Sequence, residues 1–392
     1  MFMTTMMGIA QPVLPLYLQD TVESFAAIGT IVSAMSIGQF MGAIPSSGVL
    51  SRLSMRAGML LGCAIIICSL LGMYQSQTSV GIFASWMCVG IGYSLYELAR
   101  YQYIAFYIDN QFRGRAVSVI GGISRLGSVI GAALGGWVAY SYGFNTPFLW
   151  MAGCALMAGG IIFVYVPNVR PSVLRSKIGM SSRTSSAPSY GGEFGQMLRE
   201  QWRLLAVAGS AQMLMQLVRK SRSILIPLFA SNVLGMNVAS VGLVMSVGSS
   251  FDTAMFLPAG FVMDKLGRKA AIVPSLIMQA TGFILLPFTV GFWSLVGVAS
   301  LIGFANGLSS GAMTTLGADL SPTGQRIQFL AVWRMFSALG FILGPNAVGV
   351  VAQLFALAPA STTIGIIGFS AATLFWRFVP ETLRRKERLE KL

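Results

Sequence analysis

The sequence has 392 residues, of which 55% are hydrophobic and 10% are charged, and its mean hydropathy is +0.73. Soluble globular domains carry about 25% charged residues, so this composition excludes an ordinary soluble protein. The 45 Gly and 15 Pro follow no collagen period, which excludes a fibrous chain and leaves an integral membrane protein. Histidine is absent, and the four cysteines lie in apolar runs without zinc or redox spacing. We therefore expect no metal site, and proton chemistry has to use carboxylates.

Twelve apolar segments follow one another along the chain, each near the ~20 residues that a membrane-spanning helix needs. They lie at 1–18, 26–50, 57–74, 80–107, 116–140, 146–166, 203–231, 239–263, 270–290, 293–318, 327–352 and 360–379. In lipid the backbone must satisfy its own hydrogen bonds, and these runs are too long for barrel strands. The sequence predicts an all-α integral membrane fold with twelve transmembrane helices.

Among the connections between spans, Lys and Arg occur on only one side of the predicted membrane. Twenty of the 26 lie in the connections after spans 2, 4, 6, 8 and 10 or in the C-terminal tail, if Arg203 and Arg377 at the cytoplasmic ends of their spans are included, whereas the opposite connections carry only Asp20 and Glu23. The positive-inside rule places both termini and the middle connection in the cytoplasm, where anionic lipids would meet the basic loops. The net charge of +14 is thus a topology signal and not a sign of nucleic-acid binding.

A Ser-, Pro- and Gly-rich connection at 167–202 divides the chain. We expect a six-helix bundle at 1–166, the flexible linker, a second bundle at 203–379 and a basic cytoplasmic tail at 380–392.

The two predicted bundles repeat each other. Pro15 and Pro227 are separated by 212 residues, as are Gly48 and Gly260. Asp109 matches Asp319 at an offset of 210, and Arg125 matches Arg334 at 209. A nearly constant offset across several helices predicts two pseudo-symmetric bundles, which is the architecture of alternating-access transporters.

A polar motif connects spans 8 and 9. It contains Gly260, Asp264, Lys265, Gly267, Arg268 and Lys269. The motif resembles the cytoplasmic gate loop of the major facilitator superfamily, which implies a twelve-helix secondary active transporter. Gly267 permits a tight turn, and Asp264 can face a helix N-terminus or an arginine. The three cations would meet acidic groups or lipid phosphate, whereas the first-half copy around Arg52 lacks both the Asp and the second Gly.

Small residues are regularly spaced in spans 5 and 11, where they would let neighbouring helices approach closely. They are Gly127, Gly131, Gly135 and Gly136 in span 5, and Gly340, Gly344 and Pro345 in span 11. The span-5 pattern resembles an element of the drug/proton antiporter branch, with Ala132 in place of a proline. The arginine that this branch carries in span 4 is missing from Ser85 to Gly90.

Away from the span ends, eight ionisable residues lie within the predicted spans, where a buried charge is costly and usually faces a cavity or a partner. At 1.5 Å per helical residue, most of them fall near the bilayer midplane. With one amide, the residues expected to line a central substrate and coupling cavity are Glu97, Arg100, Arg125, Arg219, Arg222, Asp252, Asn306 and Arg334. Alternatives stay open: Glu97 and Arg100 can form a local ion pair, Lys220 and Arg100 can snorkel, and Arg125 and Arg334 can be packing charges.

These residues favour a monomeric carrier of a small organic solute that needs no cofactor and is driven by a proton or other ion gradient. Glu97 is our first choice for the coupling proton and Asp252 the second, and the excess of cations favours an anionic substrate. No phosphate-binding loop is present in the sequence, which excludes ATP drive, and a membrane enzyme would lack its catalytic groups. The alternatives are a multidrug-type efflux antiporter for amphipathic compounds and a non-transporting, transporter-like sensor.

Overall fold

The computed structural model describes residues 1–76, 78–107, 110–168, 190–322 and 324–383. For 105, 110–118, 190–194, 257 and 327 it describes the backbone alone. Asp109, most of the linker and the tail from 384 onward therefore lie outside the described residues.

Each of the twelve predicted spans coincides with a helix or a pair of consecutive helices. The first six spans correspond to α1 (Phe2–Thr21), α2 (Phe25–Leu50), α3 (Met55–Gln75), α4 (Ser79–Tyr107), α5 (Asn110–Tyr142) and α6 (Thr146–Tyr165). The last six correspond to α7 (Tyr190–Asn232), α8 (Val238–Ala254) with α9 (Phe256–Lys265), α10 (Arg268–Leu285), α11 (Phe292–Leu308) with α12 (Ala312–Leu320), α13 (Arg326–Phe355) and α14 (Leu357–Phe378). The predicted all-helical fold is confirmed.

Among the described residues, nine segments are long and apolar enough to cross a membrane, and a tenth is added if α8 and α9 count as one span. That pair is bent by 44°. Helices α1 and α7 lie where the first and seventh spans are predicted but are not in this set, and α7 carries several cations that lower its hydropathy. The protein is a multi-pass, all-helical membrane protein.

The predicted span 10 is interrupted, which the continuous apolar run did not indicate. Helix α11 ends at Leu308, and α12 begins at Ala312. Gly311 between them has φ +79°, a left-handed conformation that glycine adopts without steric cost. The interruption leaves Ser309 outside regular helix in the middle of the predicted span.

The chain divides into two compact units. The first contains the described residues 1–168 and the segment Met236–Ser246, and the second contains 190–235 and 247–383. In the first unit α4 packs closely on α2, and glycines at the contact make this possible. A Cβ at Gly38 would overlap the Met87 carbonyl oxygen, and a Cβ at Gly90 would overlap that of Met35.

In the second unit a buried core fixes the helices that carry the polar residues. Phe329 and Trp333 stack with their ring centroids 6.3 Å apart, and the Trp333 indole donates a hydrogen bond to the Met313 carbonyl at 3.1 Å. Both rings belong to a buried cluster that includes Met215 of α7 and Phe375 of α14. In lipid, van der Waals packing and hydrogen bonds of this kind hold membrane helices together, so the cluster fixes the positions of α7, α12, α13 and α14.

Candidate functional site

A carboxylate of α8 and an amide of α11 form a hydrogen bond inside the second unit. Asn306 Nδ2 donates to Asp252 Oδ2 at 3.0 Å, and Asp252 is half-buried. Glycines set this distance: a Cβ at Gly303 would overlap the Gly248 carbonyl oxygen, and one at Gly307 would lie 2.5 Å from the Asp252 carbonyl oxygen. Because only glycine allows the two backbones to approach this closely, α8 presents Asp252 directly to Asn306.

A second polar group lies one turn further along, at the interruption after α11. Arg219 Nη2 donates to the Ser309 carbonyl at 3.0 Å and to the Ser309 hydroxyl at 2.6 Å. The Ser309 and Ser275 hydroxyls are 2.6 Å apart, and Ser275 also donates to the Ala305 carbonyl at 2.6 Å. Gln279 Nε2 completes the group by donating to the Ser275 hydroxyl at 3.0 Å.

The proton positions in this group follow from hydroxyl chemistry, since each serine donates one hydrogen. Ser275 uses its hydrogen on the Ala305 carbonyl, and the Ser309 hydroxyl has two acceptors, Ser275 at 2.6 Å and the Asn306 carbonyl at 3.4 Å. The 2.6 Å contact between the serines needs a hydrogen, so we assign the Ser309 hydrogen to Ser275. The hydrogen bonds then run in one direction, from Arg219 through Ser309 and Ser275 to a helix carbonyl. We call Arg219, Ser309, Ser275 and Gln279 the serine chain; its two serines and Gln279 are fully buried. Interrupted helices whose free backbone groups meet polar or charged side chains are typical of transporter sites, and here Arg219 of α7 binds the interruption at Ser309.

In the first unit, the charged residues of α4 lie among tyrosines. Arg100 Nη2 is 3.2 Å from Glu97 Oε1, and the side chains are 20% and 35% exposed, respectively. The guanidinium also lies 5.9 Å from the ring centre of Tyr96 and 5.3 Å from that of Tyr101, within the range of cation–π interaction. The alternative of a local Glu97–Arg100 ion pair is therefore the arrangement that the structure has.

The other predicted cavity residues are distributed over both units. Arg125 is half-buried on α5, whereas Lys220 and Arg222 are half-buried on α7. Arg334 is exposed on α13. The expectation that Arg125 and Arg334 line one cavity stays a prediction.

The predicted gate motif forms the turn between α9 and α10. Gly267 has φ +104°, and Arg268, which is 8% exposed, donates through Nε to Asp319 Oδ2 at 2.9 Å. Asp319 also accepts a hydrogen bond from the Thr382 hydroxyl at 3.0 Å. Gly260 and the side chains of Asp264 and Lys265 take no part in these contacts, and both side chains are exposed.

Glu381, which the sequence analysis did not select, caps the N-terminus of α10. Its carboxylate accepts hydrogen bonds from the backbone N–H groups of Arg268 at 3.1 Å, Lys269 at 3.0 Å, Thr382 at 2.9 Å and Leu383 at 3.1 Å. Burial alone raises the pKa of the Glu381 carboxyl, but the four N–H donors outweigh it and hold the pKa below its usual value. A Pro-Glu-Thr sequence just after the last span is the only signal that could have indicated this contact.

The small residues of the packing pattern lie at close helix approaches. A Cβ at Gly131 would overlap the Thr5 carbonyl oxygen, Gly127 and Gly135 also face α1, and Gly136 faces Gly242 within the first unit. In the second unit Gly340 and Gly344 face α7, at the carbonyl oxygens of Met213 and Leu217, and Pro345 lies inside α13.

The sequence matches the Major Facilitator Superfamily over residues 1–251 and 208–392, which together cover the whole chain. The chain belongs to this superfamily. It is a family of transporters and not of enzymes, which agrees with the resemblance seen in the gate motif.

Among curated relatives, the rat chromaffin granule amine transporter is 26% identical over 363 residues, which are 90% of this chain and 66% of the rat protein. The bovine synaptic vesicular amine transporter is 25% identical over 91% of this chain and 67% of its own length. An uncharacterized MFS-type transporter of Bacillus subtilis is 24% identical over 89% of this chain and 85% of its own length. The chain thus spans about two thirds of the length of the amine transporters.

Solved structures show the same fold at low sequence identity. A POT family transporter in complex with 5-aminolevulinic acid has a TM-score of 0.78 and 12% identity, covering 97% of this chain and 94% of that one. A D-xylose–proton symporter has a TM-score of 0.72 and 17% identity, covering 97% of both chains. These similarities establish the major facilitator fold.

Proposed function

We propose that the protein is a secondary active transporter that carries a small organic solute and couples its movement to protons through Asp252. Family membership supports transport, and the hydrogen bond between Asp252 and Asn306 supports the site of coupling. An amide can donate to an ionised carboxylate and, after its side chain rotates, accept from a protonated one. Asn306 can therefore satisfy Asp252 in both protonation states, which a group that repeatedly binds and releases a proton requires.

Glu97 is the weaker candidate, although the sequence favoured it. Arg100 lies 3.2 Å from its carboxylate, and a guanidinium this close stabilises the charged form. An ion pair of this kind suits a fixed structural role better than reversible protonation.

Transport in proteoliposomes tests the coupling. Asp252→Asn should abolish accumulation driven by an imposed pH difference and keep exchange of substrate at equal concentrations on both sides. Glu97→Gln is the matched control and should keep pH-driven accumulation. Accumulation by Asp252→Asn equal to that of the wild type would contradict coupling through Asp252. A wild-type chain without any flux would instead support the transporter-like sensor.

For the substrate we propose an organic anion. Away from the span ends, six cations and two acids lie within the predicted spans, and cations still predominate when the Glu97–Arg100 pair is set aside. Arg219 and Arg222 are three residues apart on α7, so they lie on one face of the helix. A guanidinium cannot lose its charge by deprotonation, and an anion is the natural ligand of such a face.

A specific observation favours amines as a second substrate class. The relatives with 24–26% identity over about 90% of this chain include chromaffin granule and synaptic vesicular amine transporters. An amine would be bound by a carboxylate, and Asp252 is the candidate in the second unit.

Counterflow of labelled organic anions and of labelled amines separates the two substrate classes. Arg222→Gln should reduce anion counterflow by about tenfold, the loss expected for one charge-assisted hydrogen bond. Arg326→Gln, which changes an exposed arginine at the start of α13, should leave it unaffected. Amine counterflow without anion counterflow would replace the anion proposal and leave the coupling proposal intact.

We also propose that both termini are cytoplasmic, that anionic lipids contact the basic loops, and that the carrier is monomeric. The distribution of Lys and Arg supports the first two of these points.

A further inference from the structure

A polar pocket opens at the end of the first unit where α1 and α3 end and α6 begins. Its volume of about 350 Å³ is sufficient for a small organic molecule. The side chains that define its chemistry are those of Tyr17, Asp20, Thr21, Tyr74, Gln75 and Asn145. None of them is among the residues that we propose to take part in transport.

The pocket is acidic and has no compensating cation nearby in the sequence. Asp20 is exposed, and within the described part of the chain it forms neither an ion pair nor a side-chain hydrogen bond. The connections that meet here, at 22–24, 76–78 and 143–145, contain Glu23 and no Lys or Arg. An exposed carboxylate in a recess without neighbouring cations favours a positively charged ligand.

The aromatic side chains indicate which kind of cation fits. Tyr17 lines the pocket but is only 8% exposed, because its ring packs edge-to-face on Phe148 with the ring centres 5.0 Å apart. Tyr74 contributes a second ring that is 42% exposed. Protein Ca²⁺ sites usually combine several carboxylates with neutral oxygens, whereas the lining of this pocket has one carboxylate among neutral oxygens. A monovalent organic ammonium ion is instead balanced by one carboxylate and is attracted to an exposed aromatic face.

We propose that this pocket binds small organic ammonium ions, with Asp20 as counter-ion, the ring of Tyr74 as an aromatic wall, and Gln75 and Asn145 as hydrogen-bonding groups. The site lies within one unit and is separate from Asp252 and Arg219. It is therefore independent of the proposed function and holds whether the carried substrate is an anion or an amine.

Equilibrium binding of labelled tetraethylammonium to the purified full chain in lipid nanodiscs tests the site. The wild type should bind it saturably. Asp20→Asn should weaken binding by about fivefold to tenfold, since it removes the counter-ion. Tyr74→Ala should weaken it by roughly threefold through loss of the ring, and Tyr74→Phe should restore it. Asp20 and Tyr74 are both exposed, so these variants are expected to fold.

Glu23→Gln is the matched control, because it removes the neighbouring acid outside the pocket. Several results would overturn the proposal: no saturable binding to the wild type, equal weakening by Asp20→Asn and Glu23→Gln, or displacement of the probe by equimolar Na⁺ or Ca²⁺. Loss of binding in Asp252→Asn with retention in Asp20→Asn would place the ammonium at the transport site and would equally reject the pocket.

Discussion

Gly303 of α11 lies against Gly248 of α8 so closely that a Cβ at position 303 would overlap the Gly248 carbonyl oxygen. This contact is one turn from Asn306 and determines how near its amide comes to Asp252. The helix crossing and the hydrogen bond are therefore parts of one arrangement, because separating the two backbones would separate the two side chains.

Gly303→Ala should consequently affect both stability and coupling. The added methyl group must displace the α8 backbone, which costs about 1–3 kcal/mol. We expect a lower thermal unfolding temperature and weaker pH-driven accumulation of substrate. Gly297→Ala is the control on the same helix, since a Cβ there would meet nothing within 4 Å. Equal behaviour of the two variants would show that the close approach does not position Asp252.

Ser309→Ala tests the serine chain. The substitution removes the hydroxyl that accepts a hydrogen bond from Arg219 and donates one to Ser275. The Arg219 guanidinium and the Ser275 hydroxyl then each lose one hydrogen-bond partner in the buried interior. We expect a loss of about 1–3 kcal/mol in unfolding free energy. Thr281→Val, which removes a hydroxyl that donates within its own helix to Ile277, should cost less than Ser309→Ala. If the two substitutions cost the same, the serine chain contributes no more than an isolated hydroxyl.

The spans and the gate turn could be predicted from sequence because their signals are local. A run of about 20 apolar residues by itself predicts a membrane-spanning helix, and Gly267 belongs to a motif that is contiguous in the chain. The interruption at Ser309 was missed because small and hydroxyl residues are also common inside continuous membrane helices. The pairing of Ser309 with Ser275 depends on the relative registers of α10 and α11, about which a single sequence carries no periodic signal.

Cysteine labelling tests the predicted topology at the two ends of α10. Leu266 before the helix is 69% exposed, and Val290 after it is 91% exposed. In a variant without the native cysteines, a membrane-impermeant maleimide should label Val290→Cys in intact cells and Leu266→Cys only after permeabilisation. The reverse pattern would invert the orientation that the basic loops predict.

The Glu381 cap makes the gate turn less stable at acidic pH, because the backbone hydrogen bonds favour the ionised carboxylate. The pKa of Glu381 is held below its ordinary value of 4.5, so its stabilising effect is complete above that pH and is lost as the pH falls through the lower value. Glu381→Gln should lower unfolding free energy by about 1 kcal/mol near neutral pH, the typical effect of a lost helix cap. The difference from the wild type should shrink below pH 4.5. Asp264→Asn, which removes an exposed carboxylate of the same loop, is the matched control, and a loss of unfolding free energy equal to that of Glu381→Gln would refute the assignment of the cap to Glu381.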